Sequence, residues 1–138
     1  MKRLASSLID PCPCGRPASV RACCGRFHAE ADTWPADPET LMRSRYSAFV
    51  RDERDYLLAT WHPSTRPAEV EPPEPGLRWL GLEVKAVRWD GGDEGEVQFV
   101  ARYKLGGRAF RLEETSRFVR EDGRWTYVAA VEGPGAGS

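Results

Sequence analysis

The sequence lacks an apolar run approaching the ~20 residues of a membrane-spanning helix, and it lacks an excess of charge of either sign. Its 20 basic residues stand against 21 acidic ones. Balanced charge is untypical of non-specific nucleic-acid binders, which usually carry a basic excess. We therefore expect neither a nucleic-acid partner nor membrane association. Residues 1–10 begin basic but contain no apolar stretch typical of a signal peptide, which favours a cytoplasmic location.

Several motifs of catalytic sites are also absent. The sequence contains no glycine-rich phosphate loop, no nucleophile with a recognisable base and no carboxylate pair at a useful spacing. Histidine occurs only at His28 and His62. No residue is therefore assigned a catalytic role. A chain of 138 residues predicts one domain with a small appendage.

Cysteine is missing from all but one short stretch. Between Pro11 and Gly25 lie all four cysteines of the chain: Cys12, Cys14, Cys23 and Cys24. Such a cluster is typical either of a metal site or of a pair of disulfides. Structural zinc takes four ligands in a tetrahedron, and thiolates suit it well. The eight residues between the two cysteine pairs allow a turn and a return, so both pairs can reach one ion.

Two alternatives to an all-cysteine zinc site remain open. A disulfide framework requires an oxidising compartment, which the missing signal peptide disfavours. His28 lies four residues after Cys24 and can replace one of the adjacent pair Cys23 and Cys24, whose side chains diverge. The sequence favours a structural Zn²⁺ on the four cysteines, with His28 as the alternative ligand.

The pattern C-x-C-x8-C-C resembles the SEC-C zinc motif found at the end of the SecA translocation ATPase. The resemblance implies Cys12, Cys14, Cys23 and Cys24 as ligands, and it implies a protein partner such as a ribosome or a chaperone. Residues 15–21 differ from that motif, because they lack its usual Ser-Gly and its Lys-Tyr-Lys run.

Beyond the cysteines, the pattern predicts two helices followed by a sheet. Asp37-Pro38 is a strong helix start, because Asp caps well and Pro is favoured at the first helical position. The helices are predicted over 38–51 and 53–61, and prolines exclude regular structure from Pro63 to Gly76. Four antiparallel strands are predicted at about 77–90, 96–105, 108–120 and 124–131. The glycine-rich tail 132–138 is expected to fray.

The helical wheel of 38–51 assigns Met42, Tyr46, Phe49 and Val50 to an apolar stripe, with Ser44 and Ser47 on the solvent side. On the first strand, Leu80, Leu82, Val84 and Ala86 are assigned to one face, with Trp79 on the other. That strand is expected to carry a bulge or twist.

Two charges fall at positions whose neighbours are apolar, Arg45 on the helix and Glu114 on the third strand. Burying either alone is unfavourable, so we expect them to meet. They would then form either a structural ion pair or the polar floor of a ligand cavity. Ser116 shares the face of Glu114, and Tyr46 and His62 complete the candidate pocket.

A second resemblance rests on 37–49 (D-P-E-T-L-M-R-S-R-Y-S-A-F), on Thr60-Trp61-His62-Pro63, and on the segments 114–118 and 123–128. These are similar to the YchJ family of bacterial proteins, which pair a SEC-C knuckle with a domain similar to nuclear transport factor 2. The resemblance implies an α+β fold: a zinc knuckle at 1–28, then a cone at 29–138 in which helices cover a curved sheet. Cones of this kind often form homodimers through the open sheet face.

Two functions from different classes follow from these observations. The first is a non-enzymatic adaptor, in which the knuckle binds a protein partner and the cone holds a small-molecule ligand. The second is a small hydrolase or isomerase that uses His62, Arg45 and Glu114 within the cone.

Overall fold

The computed structural model describes residues 11–30 and 32–131. The predictions for residues 1–10 and for the tail 132–138 lie outside them. Within the described residues, the elements in chain order are α1 Cys24–Ala29, α2 Pro38–Arg51, α3 Arg54–Ala59, β1 Arg78–Arg88, β2 Glu94–Leu105, β3 Arg108–Glu121 and β4 Arg124–Ala130. The predicted bounds of α2 are confirmed, whereas α3 is shorter than predicted and α1 was not predicted.

The four strands form one antiparallel meander in the order β1-β2-β3-β4. The predicted hairpin between β2 and β3 turns at Gly106 and Gly107, whose φ angles are +61° and +80°. Positive φ at both central residues matches the twist of the flanking strands and favours glycine there. With helices packed on one face of this sheet, the predicted α+β class is confirmed.

The alternation of side chains between the two faces of the sheet is interrupted along strand β1, as a bulge requires. Its register against β2 shifts between Trp79 and Gly81 and again between Val84 and Ala86. Trp79 consequently packs against the core with Leu82, whereas Leu80 is 49% exposed. The prediction that Leu80 shares a face with Leu82, and that Trp79 lies on the other face, is therefore wrong, because one irregular residue reverses the alternation beyond it.

Helix α2 begins as predicted and supplies one layer of the core. The Asp37 carboxylate accepts a hydrogen bond from the Thr40 amide at 2.7 Å, and Pro38 occupies the first helical position. Side chains of α2 then pack against the inner face of the sheet. The main core cluster comprises Leu41, Met42, Tyr46, Val97, Phe99, Ala101, Phe118 and Trp125.

The side of α2 predicted to face solvent is also buried. Ser44 and Ser47 are both 0% exposed, because α1 and the cysteine-bearing turn pack against this side. The Ser44 hydroxyl donates to the Leu41 carbonyl at 2.7 Å and lies 2.7 Å from the Tyr56 hydroxyl of α3. The prediction of a wet face at Ser44 and Ser47 is wrong, and the exposed end of the helix lies instead at Phe49 and Val50.

The segment after α3 closes the edge of the sheet. The His62 amide donates to the Tyr127 carbonyl, and the Tyr127 amide donates to the Thr60 carbonyl, both at 2.8 Å. This short parallel contact fixes Trp61 beside β4. Residues 63–76 then contain neither helix nor strand, which confirms the predicted proline-rich loop.

Among the described residues, no helix combines the length and the apolar character that crossing a bilayer requires.

Gly95 fixes how closely the start of α2 approaches β2, and its substitution tests this packing. A Cβ at Gly95 would lie 2.6 Å from Cγ of the rigid Pro38 ring. We expect Gly95→Ala to lower the free energy of unfolding by about 1–3 kcal/mol through overpacking. Gly81→Ala is the matched control, because a Cβ there meets nothing within 4 Å. Urea unfolding of the metal-loaded protein measures both, and equal effects would contradict the role of Gly95.

Candidate metal centre and cone cavity

The cysteine-bearing turn, residues 11–28 and here called the knuckle, is folded by its own backbone hydrogen bonds. The Cys12 amide donates to the Ala18 carbonyl at 2.9 Å, and the Gly25 amide donates to the Val20 carbonyl at 2.7 Å. A Cβ at Gly25 would lie 2.5 Å from that Val20 oxygen, so the close approach requires glycine. The contact between Cys12 and Ala18 turns the chain back, so that the Cys12–Cys14 pair lies near the start of α1, where Cys23 and Cys24 are.

The four sulfur atoms form a compact, buried cluster. All four lie within 4.8 Å of one another, and the Sγ atoms of Cys14 and Cys23 are 3.7 Å apart. Each cysteine is at most 6% exposed, and no disulfide joins them. Thiolates held about 2.3 Å from a central ion in a tetrahedron lie about 3.8 Å from each other. The donor set therefore fits one tetrahedral metal ion.

The pKa values of the cysteine thiols bear on how the cluster could carry the negative charge of thiolates. Hydrogen bonds from Cys14 and Cys24 hold the pKa of the Cys12 thiol far below its usual range. Burial raises the pKa of Cys23 to about 11, and the hydrogen bond to Cys12 raises the pKa of Cys24 well above its usual range. These buried thiols resist carrying negative charge together, and metal binding requires them to be deprotonated. A divalent ion would supply the missing positive charge.

His28, the alternative ligand, lies outside the sulfur cluster. Its Nε2 is 2.9 Å from the Ser44 carbonyl oxygen, and its ring centroid is 4.7 Å from that of Tyr56. His28 thus ties α1 to α2 and α3. Its Nδ1 is buried and has no hydrogen-bond partner among the described residues.

The knuckle packs against α2 at several points, among them two side chains, Ser47 and Arg43, whose roles were not predicted. The Ser47 hydroxyl lies 3.4 Å from the Cys12 sulfur. Arg43 donates from Nη1 to the Cys14 carbonyl at 2.6 Å and from Nε to Glu39 at 2.9 Å. The contacts of Ser47 and Arg43 with the knuckle span 35 and 29 residues of sequence, so no local pattern indicates them.

On its other side, α2 borders a cavity of about 290 Å³ between the helix and the sheet, here called the cone cavity. Its walls are mostly aromatic and aliphatic, with few polar groups. The lining residues are Met42, Arg45, Tyr46, Phe49, Trp61, Trp79, Phe99, Ala101, Leu112, Glu114, Ser116, Phe118 and Tyr127. Phe49 and Leu112 are about two-fifths exposed and mark the side open to solvent.

Arg45 is buried beside this cavity, at 6% exposure. Its Nη1 donates to the Leu57 carbonyl at 2.8 Å and to the Thr60 hydroxyl at 2.6 Å. The guanidinium carbon lies 5.0 Å from the ring centroid of Trp61 and 4.8 Å from that of Tyr127. Burial lowers the pKa of Arg45 to about 10, so the side chain remains charged at neutral pH.

Glu114 lines the same cavity, but it does not pair with Arg45. Its Oε2 accepts a hydrogen bond from the Ser116 hydroxyl at 2.7 Å. The expected contact between Arg45 and Glu114 is wrong: no ion pair joins these two described residues. A carbonyl, a hydroxyl and two aromatic faces stabilise the guanidinium instead.

The two remaining candidate pocket residues behave differently from each other. Tyr46 lines the cavity and packs edge-on against Trp79, at 5.6 Å between ring centroids. Burial raises the pKa of Tyr46 to about 12, so it is a neutral phenol. His62 does not line the cavity. Its Nδ1 lies 2.7 Å from the Ser64 hydroxyl and its Nε2 lies 3.1 Å from Glu121, both exposed residues, so it anchors the loop at the surface.

The chain is similar to known proteins both in sequence and in fold. The family model described as the middle NTF2-like domain of YchJ matches residues 37–130. A UPF0225 protein of Methylibium petroleiphilum is 65% identical over 128 residues, which is 92% of this chain and 93% of that protein. A UPF0225 protein of Xanthomonas campestris is 57% identical over 127 residues, covering 91% and 97% respectively.

Two solved structures share the architecture. The solution structure of a SEC-C motif containing protein from Rhodopseudomonas palustris superposes with a TM-score of 0.77 at 30% identity, covering 89% of this chain and 98% of that one. The crystal structure of a SEC-C motif containing protein from Psychrobacter arcticus gives 0.71 at 24% identity, with coverages of 91% and 86%. The second likeness concerns the fold alone.

The ligand set is tested by substituting Cys14 and His28 separately. We expect the wild-type protein to retain one divalent metal ion per chain. Cys14→Ser should reduce this to background, because a serine hydroxyl is not ionised at neutral pH and binds such an ion poorly. His28→Gln should retain the full metal content, because its ring contacts Ser44 and Tyr56 rather than the sulfurs.

Elemental analysis of protein purified under reducing conditions measures the metal content, and circular dichroism verifies that both variants fold. Loss of metal in His28→Gln at retained fold would show that His28 is a ligand.

Proposed function

Since the chain belongs to the YchJ-like family, named UPF0225 among its relatives, we propose that it is a non-enzymatic binding protein, stabilised by a structural Zn²⁺, that holds a small ligand in its cone cavity. The observation that carries the proposal is the cavity itself. It is enclosed mainly by aromatic and aliphatic side chains and contains a buried arginine and a carboxylate. A preformed apolar cavity with few polar groups is the usual form of a small-molecule site.

Zinc is the metal that we assign to the knuckle. Four cysteine thiolates in a tetrahedral arrangement favour Zn²⁺ over the harder cations, which prefer oxygen ligands. A site with four protein ligands is closed and leaves no position for a substrate. The ion therefore stabilises the fold and takes no part in chemistry.

The knuckle is also the surface that we propose for a protein partner. Arg21 and Arg26 are exposed on it, and the solved neighbours are named for the SEC-C motif. A ribosome or a chaperone is the kind of partner that the motif implies. This adaptor role does not depend on the cavity, so the adaptor role can be wrong while ligand binding in the cavity is right.

The second candidate function is a small hydrolase or isomerase, and Glu114 is the observation that favours it. Its carboxylate lines an apolar cavity that the Arg45 guanidinium also lines, an arrangement in which a carboxylate can accept a proton from a substrate. His62 lies outside the cavity, so such an enzyme would work with Arg45 and Glu114 and without an imidazole. An enzyme converts its ligand, whereas a binding protein returns it unchanged.

Ligand binding in the cone cavity is tested by narrowing it. Ala101 lines the cavity at 1% exposure, so Ala101→Val adds two methyl groups to its wall. In a fragment screen by ligand-observed NMR, we expect fragments that bind the wild-type protein to lose about tenfold or more in affinity for this variant, since an overpacked contact costs about 1–3 kcal/mol.

Ala109→Val is the matched control, because Ala109 is exposed on the neighbouring strand. Fragments that bind wild type and Ala101→Val equally would place binding elsewhere, and an absence of any binding fragment would refute the ligand-binding function. Fragments recovered in altered form would establish the enzyme instead.

The role of zinc is tested by removing and replacing the ion. If the ion is present at ~1,000 times its dissociation constant, its removal lowers the free energy of unfolding by about 4 kcal/mol. We therefore expect chelation to lower the melting temperature and re-addition of Zn²⁺ to restore it. Co²⁺ should substitute and give the sulfur-to-cobalt absorption of a tetrahedral thiolate site. An unchanged melting temperature after verified removal of metal would refute a structural role.

A further inference from the structure

Resting on the proposed ligand-binding function, we infer that the cone cavity selects a small, planar, uncharged molecule with an amide-like edge, a hydrogen-bond acceptor beside a donor. Arg45 and Glu114 each bond some of their hydrogen-bonding groups within the protein and leave others without a partner among the described residues.

Arg45 supplies donors to the cavity. A guanidinium carries five N–H donors, and the two on Nη1 are taken by the Leu57 carbonyl and the Thr60 hydroxyl. The donors on Nη2 and Nε have no acceptor among the described residues, and the side chain is 6% exposed. Arg45 lines the cavity, so a molecule that enters the cavity can reach the guanidinium. A guanidinium donor that lines a mostly apolar cavity is stabilised by an acceptor, so the site calls for an acceptor on the ligand.

Glu114, on strand β3, supplies an acceptor to the same cavity. One oxygen, Oε2, receives the Ser116 hydroxyl at 2.7 Å. The other, Oε1, has no donor among the described residues. A carboxylate oxygen in a mostly apolar cavity is stabilised by a donor, so the site also calls for an N–H or O–H group on the ligand.

The charges of these two groups decide the charge of the ligand. Arg45 and Glu114 are the two charged residues among the described residues that line the cavity. A carboxylate ligand is attracted by Arg45 but repelled by Glu114. An amidinium ligand is attracted by Glu114 but repelled by Arg45. A neutral head with both an acceptor and a donor satisfies both residues without repulsion.

The remaining walls decide the shape of the ligand. The rings of Trp61, Trp79 and Tyr127 border the cavity, and aromatic walls favour flat, apolar bodies that stack or pack edge-on. A volume of about 290 Å³ is at the lower end of the roughly 300–1,000 Å³ typical of ligand sites. One aromatic ring with a short polar head meets these limits.

Three probes of the same shape test the inference: benzamide, benzoate and benzamidine. They share one ring and one planar head, but they carry no charge, one negative charge and one positive charge. We expect the wild-type protein to bind benzamide about tenfold or more tightly than either ion at neutral pH, where one unfavourable contact with a like charge accounts for such a factor. Titration followed by NMR of the indole N–H of Trp61 and the Nε–H of Arg45 measures all three.

Glu114→Gln then reverses the preference in a defined direction. Glutamine removes the negative charge and can still accept from Ser116, so the fold should be retained. We expect benzoate to gain about tenfold or more in affinity and to overtake benzamide, because Arg45 is then unopposed. Glu113→Gln is the matched control, because Glu113 is exposed on the same strand and should leave all three affinities unchanged.

The outcomes separate this inference from the proposed function. If an ion binds the wild-type protein most tightly, or if Glu114→Gln brings benzoate no gain, the neutral-ligand inference is wrong while binding in the cavity stands. If the fragments that Ala101→Val displaces are all ions, the inference is again wrong. If neither the probes nor any fragment binds, the ligand-binding function fails with it.

Discussion

Helix α2 is packed on both sides, and the rest of the structure depends on this constraint. One side carries Met42 and Tyr46 into the core of the sheet, and the other carries Ser44 and Ser47 against the knuckle and α3. The buried serines find partners in a carbonyl, a phenol and a cysteine sulfur, so their burial leaves little unsatisfied. A helix with two buried sides requires two bodies to cover it. The knuckle is therefore part of the packing that holds the helix on the sheet.

The same helix borders both the sulfur cluster and the cavity. Arg43 and Ser47 contact the knuckle, while Arg45 and Tyr46, between them in sequence, border the cavity. A shift of α2 toward or away from the sulfur cluster would move both sets together, because a helix transmits displacement as a rigid element. The sulfur cluster and the cavity are therefore linked through a single helix.

Local chemistry made much of the fold predictable, and long-range contacts account for what was not. Asp37-Pro38, Gly106-Gly107 and the cysteine spacing each specify structure within a few residues, and α2, the hairpin and the clustered sulfurs follow from them. The bulge of β1 was expected, but its position decides which side Leu80 faces, and that depends on pairing with β2. Ser47 is paired through the knuckle and Arg45 through α3 and β4, and no periodicity within α2 contains those partners.

The surroundings of Arg45 argue that the cavity is more than a packing fault. An arginine kept only for stability is expected to use its donors within the protein. Here, two aromatic rings and two oxygens fix the guanidinium in place, while its other edge has no acceptor among the described residues. A group that is held rigidly yet incompletely paired supports the proposal that the cavity takes a ligand. Glu114 is likewise held on one side only, because Ser116 donates to one of its two oxygens. It is a negatively charged acceptor, whereas Arg45 is a positively charged donor.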